Sequence, residues 1–266
     1  MDKAFVIVYL AALGLIFGSF VNALVWRLRN KRNWVSERSE CVHCHHTLAP
    51  RDLIPVLSYI ALKGKCRYCG KKIDDTPMPE VAAALLFVGS YIFWPIQIHG
   101  LGLFQFVCWL LILIAFTALA VYDLKWFLLP DKIVFPLIGF VILQILAQKV
   151  LYHFAWHDVG AAALGAVVLS GIFYILFVVS DGAWIGGGDV KLAIALGLIA
   201  SDPLRATLIL FFASIIGVLA AIPAMLKTKK ALKMQIPFGP FLILATIIVQ
   251  LFGASIVHWY TGFFSV

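Results

Sequence analysis

The chain has 266 residues, 63% of them hydrophobic and only 13% charged, with a formal net charge of +8 and a mean hydropathy of +1.00. A soluble core of this length does not need so much apolar surface, so the composition excludes an ordinary soluble domain and predicts an all-α polytopic membrane protein. The positive charge is no argument for nucleic acid as a partner; it is accounted for by topology and by contact with the lipid bilayer and its anionic headgroups.

The first apolar run, "FVIVYLAALGLIFGSFVNALVW" (5–26), is long enough to span. Arg27, Arg29, Lys31 and Arg32 follow it instead of a small-residue cleavage site, so it is expected to stay as a helix and not to leave as a signal peptide. Further spans are predicted over 81–98, 103–122, 133–151, 159–179, 190–200, 204–226 and 238–259, about eight in all. The sixth is short for a crossing and reads as a half-helix or as a site of bilayer thinning. With the N-terminus outside, the inner segments 27–80, 123–132, 180–191 and 227–237 hold 18 of the 21 Lys and Arg residues. That asymmetry predicts an N-out, C-out protein with its large polar loop in the cytosol. Three parts follow: a first helix (1–26), a polar loop domain (27–80) and a seven-helix membrane domain (81–266).

The loop contains "CVHCHHTLAPRDLIPVLSYIALKGKCRYCG". Cys41 and Cys44 form one C-x-x-C pair, and Cys66 and Cys69 form a second, 21 residues further on. Each pair can grip one edge of a tetrahedron, so the spacing predicts a zinc-ribbon-like site. Four thiolates fill the coordination shell, which makes the metal structural; it supplies folding energy that a short loop lacks. Four reduced cysteines without metal are the alternative, and His43, His45 or His46 could replace one ligand. Gly64 and Gly70 suit tight turns. Cys108, inside the third span, reads as a packing residue.

Four acids fall at the predicted cytosolic helix ends: Asp123, Asp131, Asp181 and Asp189. Acids at the border of a span are costly and default to functional candidates. Asp131 follows Pro130 and reads as an N-cap of the fourth span, and Asp181 before Gly182 as a turn residue. Asp189 could also be an N-cap, but a cap does not need Gly186, Gly187 and Gly188 ahead of it; three glycines allow unusual dihedrals and close approach. Asp123 ends "LILIAFTALAVYD", where the helix dipole disfavours an anion. Lys125 could pair with it, or a second aspartate could face it. Two facing carboxylates share a proton and act as acid and base on a peptide carbonyl, with no metal or cofactor. His99, His153, His157 and His258 all map to the other face, so no Ser-His-Asp set forms beside the aspartates. They read as interfacial residues, or as a metal site of their own.

"GGGDVK" (186–191) beside "YDLKWFLLPD" (122–131) resembles the type IV prepilin peptidases, bifunctional leader peptidase/N-methyltransferases of the GxGD aspartyl protease group. The likeness extends through "GSFVNALVWRL" (18–28), the paired C-x-x-C loop, "IPVLSY" (54–59), "PMPE" (77–80) and "PFGP" (237–240). The resemblance implies that Asp123 and Asp189 are the catalytic pair and that the cysteines hold zinc. It implies prepilins or pseudopilins as partners, cut after a short basic leader on the cytosolic side of the bacterial inner membrane. It further implies N-methylation of the new terminus with S-adenosylmethionine. Glu80 and Ser19 are the candidates for the methyl-donor site. In the loop the chain departs from the family's pattern: Asp75 and Thr76 stand where Arg-Tyr is usual, and Leu53 follows Asp52 where Asn is frequent. A peptidase without methyl transfer, and a transporter or channel with a zinc-regulated loop, are the alternatives; a transporter is expected to hold its acids near the bilayer midplane.

Overall fold

The computed structural model describes residues 2–33, 38–227 and 236–264. The basic segment expected at 227–237 therefore lies largely outside the described residues, as does the extreme C-terminus. Among the described residues the protein is helical without strands. In order come α1 (Lys3–Arg29), a 3-10 turn (Pro50–Leu53), α2 (Leu57–Ala61), α3 (Met78–Ile92), α4 (Leu101–Trp126) and α5 (Asp131–Tyr152). Then follow α6 (Trp156–Val179), α7 (Gly187–Ala200), α8 (Pro203–Lys227) and α9 (Gly239–Phe264). Among the described residues, eight apolar helices stand where spans are predicted. Six of these are long and apolar enough to cross a membrane, so this is a multi-pass membrane protein.

The two shorter ones have different causes. The span predicted over 81–98 ends as a helix at Ile92. Pro95 lacks an N–H and disfavours helix at Trp94 before it, so the apolar run continues without the helix. α7 has 14 residues, roughly 21 Å at 1.5 Å per residue, against a hydrocarbon core of about 30 Å. Its apolar length is buried almost all round, from Leu192 through Ala200, so protein covers it and it need not match the bilayer.

The chain divides into two compact units. One comprises Met1–Phe93 with Trp109–Val121, and the other Trp94–Cys108 with Tyr122–Val266. In the first, α1 and α3 meet through small residues. A Cβ on Gly14 would lie 2.5 Å from Ala84 Cα, and one on Gly18 would lie 2.3 Å from Glu80 Cα. Only glycine permits that approach, which gains dispersion contacts where lipid offers no hydrophobic driving force. The middle of α4 joins this unit, and Trp109 Nε1 donates to Ser90 Oγ at 2.9 Å in its buried interior.

In the second unit, α7 is packed against α6 by the same device. A Cβ on Gly197 would lie 2.5 Å from Ala166 Cα. α5, α8 and α9 complete the surroundings of α7. Its N-terminus, which carries Asp189, is therefore held from several sides.

Candidate active site and metal site

In the first unit, both C-x-x-C pairs adopt the same local fold. Cys41 N–H bonds to the His46 carbonyl at 3.0 Å and His45 N–H to the Cys41 carbonyl at 2.9 Å; Cys66 N–H bonds to Lys71 and Gly70 N–H to Cys66, at 2.8 and 2.9 Å. An isolated bridge flanks each, Glu40 with Thr47 and Lys65 with Lys72. Gly70 takes φ +70°, and His45 occupies the matching position with φ +57°. The turn role expected of Gly70 is therefore found, and in the first pair a histidine fills it. Tyr68 packs against His46 with ring centroids 3.7 Å apart and the rings tilted by 36°, and its hydroxyl donates to Asp52 at 3.1 Å, beside Arg67 Nε at 2.7 Å. The Arg67 guanidinium holds the Asp52 carboxyl below its ordinary value.

The four Sγ atoms all lie within 4.8 Å of one another, and Cys41 and Cys69 are 3.9 Å apart. Tetrahedral Zn–S bonds of about 2.3 Å put sulfurs roughly 3.8 Å apart. This spacing suits a metal. Their electrostatics ask for one as well. Against the cost of burial, the Cys44 and His43 backbone amides and the neighbouring thiols bring Cys41 down to about 6. The His46 amide favours a Cys44 thiolate, but Cys44 is exposed, and chiefly the sulfurs of Cys41 and Cys69 push it up to about 11. Four thiolates this close would repel one another, and a cation between them would offset that repulsion. Among the described residues no other group of three or more His, Cys, Asp or Glu is close enough to hold a metal; the histidines of the membrane domain are not gathered. Cys108 is buried.

In the second unit, Asp123 and Asp189 line one cavity of about 450 Å³, with Tyr122, Leu129, Pro130, Asp131, Gly186 to Gly188 and Lys191. α4 continues past Asp123 to Trp126, and Phe127, at φ +54°, closes it by donating to the Asp123 carbonyl at 2.8 Å. Asp123 is 5% exposed. Its Oδ2 accepts the Gly239 N–H at 3.1 Å. Residues 236–238 are irregular, and helix begins at Gly239, whose amide is used by Asp123.

Asp189 is the third residue of α7 and not its cap, which is Gly186 in extended conformation (φ −74°, ψ 146°). None of the three glycines has positive φ, so unusual dihedrals are not why they are there. Closeness is. A Cβ on Gly188 would lie 3.0 Å from Leu129 Cβ, and one on Gly186 would lie 3.4 Å from Asp189 Oδ2. Asp131 also differs from its expected role. The cap is Pro130, and the Asp131 carboxylate instead takes Lys191 Nζ at 2.8 and 2.9 Å, which ties α5 to α7. Asp181, at φ +49° before Gly182 at +75°, is in a turn.

One participant escaped sequence reasoning. Leu129 contacts the space at both Gly188 and Gly239, where an added Cβ would lie 3.0 and 3.4 Å from it. Its side chain wedges between the two strands of chain that carry or fix the aspartates. A leucine in "WFLLPD" gives no signal of that role.

Glu80 and Ser19 line a separate cleft in the first unit. Glu80 is 8% exposed, and its Oε2 accepts the Val56 N–H at 2.6 Å.

Residues 12–94 match the bacterial peptidase A24 N-terminal domain, and residues 106–222 match the type IV leader peptidase family. Among curated proteins, the chain is 32% identical over 248 residues to a prepilin leader peptidase/N-methyltransferase of Bacillus subtilis (strain 168), covering 93% of this chain and 94% of that protein. Proteins of the same name from Pseudomonas aeruginosa and Aeromonas hydrophila are 31% and 30% identical, covering 94% and 92% of this chain and 92% and 90% of their own lengths. No solved structure matches the chain.

Proposed function

The chain belongs to the type IV leader peptidase family, and on that premise we propose that it cuts the short basic leader from prepilins or pseudopilins with Asp123 and Asp189, then N-methylates the new terminus. The single observation that carries the peptidase reading is that both aspartates line one cavity, at the ends of two different helices. One carboxyl carries a proton and the other does not. The ionised one takes a proton from water, the water oxygen attacks the scissile carbonyl, and the protonated one donates to the developing oxyanion. The Gly239 N–H engages one oxygen of Asp123, which fixes its orientation and leaves the other oxygen for reaction. No metal enters this chemistry.

The methyl-transfer reading belongs to the first helix and the loop domain (1–26 and 27–80), and the peptidase reading to 81–266. Zinc on Cys41, Cys44, Cys66 and Cys69 is structural: four sulfurs leave no open position for substrate. S-adenosylmethionine, when bound, supplies an electrophilic methyl group. Glu80 and Ser19 line the cleft where we place it. The basic residues that flank the helices support an N-out, C-out orientation in the bacterial inner membrane, with both sites on the cytosolic side.

The test is direct. The purified protein is incubated in detergent with a prepilin, with and without S-adenosylmethionine, and intact product masses are taken. The expected products are a leaderless pilin in both cases and one added methyl group only with the donor. Cleavage without methylation identifies a peptidase alone, and an uncut precursor rejects the reading.

A further inference from the structure

The cleft lined by Ser19 and Glu80 continues into a further compartment beside Cys41 and Cys66. Its two compartments measure about 230 and about 190 Å³. Trp26, Val42, Leu48, Ile73 and Asp75 line both, so the compartments share a wall. One polar atom there is unsatisfied. Asn22 Oδ1 is buried without a hydrogen-bond partner, while its Nδ2 donates to the Thr76 carbonyl at 3.2 Å. A bare buried acceptor is costly and marks a place for an incoming donor.

We infer that this cleft binds the methyl donor across both compartments, with its cationic sulfur between Trp26 and Asp75 and its amino-acid end at Asn22. The inference rests on the methyl-transfer reading above and assigns that activity its site. The donor has three chemically distinct parts, and the cleft offers a match for each. The compartment beside Cys41 and Cys66 has apolar walls from Leu48, Leu62 and Ile73, with acceptors at Asp74 and Asp75. A planar base fits the walls, and ribose hydroxyls suit the carboxylates. The second compartment places Asn22 with Arg27 and Arg38. There the orphan oxygen accepts from the α-ammonium, and the guanidinium groups face the α-carboxylate. At the shared wall Trp26 already carries a cation, with the Arg32 guanidinium 5.1 Å from its ring centroid, and the remaining indole surface together with the Asp75 carboxylate favours a sulfonium. Glu80 is a positioning residue: its bond to the Val56 amide joins the loop to the start of α3. The Asp75–Thr76 departure from the family's pattern lies in this same cleft, Asp75 as lining and Thr76 as the anchor of Asn22.

Binding tests this independently of turnover. Zinc-loaded full-length protein is titrated calorimetrically with S-adenosylhomocysteine and with sinefungin, which carries an amine cation in place of the sulfonium. Sinefungin is expected to bind more tightly than the neutral thioether. Asn22→Leu and Trp26→Leu should each weaken sinefungin at least about tenfold with zinc content unchanged. Photo-cross-linked S-adenosylmethionine should map within residues 19–80. Wild-type affinity in both Asn22→Leu and Trp26→Leu, or a cross-link elsewhere in a protein that methylates, overturns the site. A wild-type protein that neither binds the donor nor methylates cleaved pilin removes the methyl-transfer reading itself.

Discussion

Asp123 and Asp189 stand out in the sequence as candidates because a carboxylate at the edge of an apolar helix contrasts with its surroundings, and the structure brings them to one cavity. Their supporting residues were legible only in part. Gly239 was visible as a glycine between two prolines, but its bond to Asp123 joins residues 116 positions apart, and no local pattern encodes that. A Cβ at 239 would lie 2.7 Å from Asp123 Oδ2. Gly239→Ala should therefore displace the carboxylate and lower kcat for cleavage by about tenfold or more, since small misplacements of a reacting group are costly. Thermal unfolding should change little; wild-type turnover with an unchanged melting curve would contradict the role given to this amide. Asp131 is the opposite case. The local rule "acid after proline" suggested a cap, yet a partner 60 residues away, Lys191, takes the carboxylate instead. Both side chains are about half exposed, 41% for Lys191 and 53% for Asp131, so the pair contributes about 0.2–1 kcal/mol. Asp131→Asn should keep cleavage, with at most a small loss of stability in denaturant titration.

Helices were the most readable level, since apolar runs of membrane length admit few alternatives. Their ends depended on single residues. Pro95 stops α3 early, and the glycines before Asp189 serve close approach instead of a special backbone conformation. Helix pairing was not readable, because Gly14 and Gly18 act only through the residues that face them. Gly18→Leu would drive a side chain into the α3 backbone, whose Glu80 Cα lies 2.3 Å from the Cβ position. Overpacking of this kind costs about 1–3 kcal/mol or more, and proteolysis of the detergent-solubilised variant should accelerate within residues 12–94. The loop makes a separate prediction. With Cys41 at about 6 and Cys44 at about 11, metal binding near neutral pH must expel the Cys44 proton. Zinc affinity should then rise with pH through that range and fall more steeply below about 6, where Cys41 also takes a proton. Competition with a chelator at about pH 5, 7 and 9 checks this; an affinity independent of pH would mean that the thiols do not hold the metal.

At the scale of the molecule, Asp123 and Asp189, to which we assign proton transfer, fall in one compact unit, and the cysteine-built loop with its cleft falls in the other. The cysteine spacing announced the loop, but the cleft itself was not legible: Trp26, Asn22 and Asp75 come together only when the first helix and the loop have folded. The two proposed activities should therefore separate on purified substrates. The most direct measurement is the product mass from precursor and from pre-cleaved pilin, with S-adenosylmethionine present, for Asp189→Asn and Cys66→Ser. Asp189→Asn is expected to leave the precursor uncut yet methylate pre-cleaved pilin, while Cys66→Ser is expected to cut the precursor and methylate neither. Normal cleavage by Asp189→Asn, or loss of both activities in both variants, would contradict this separation.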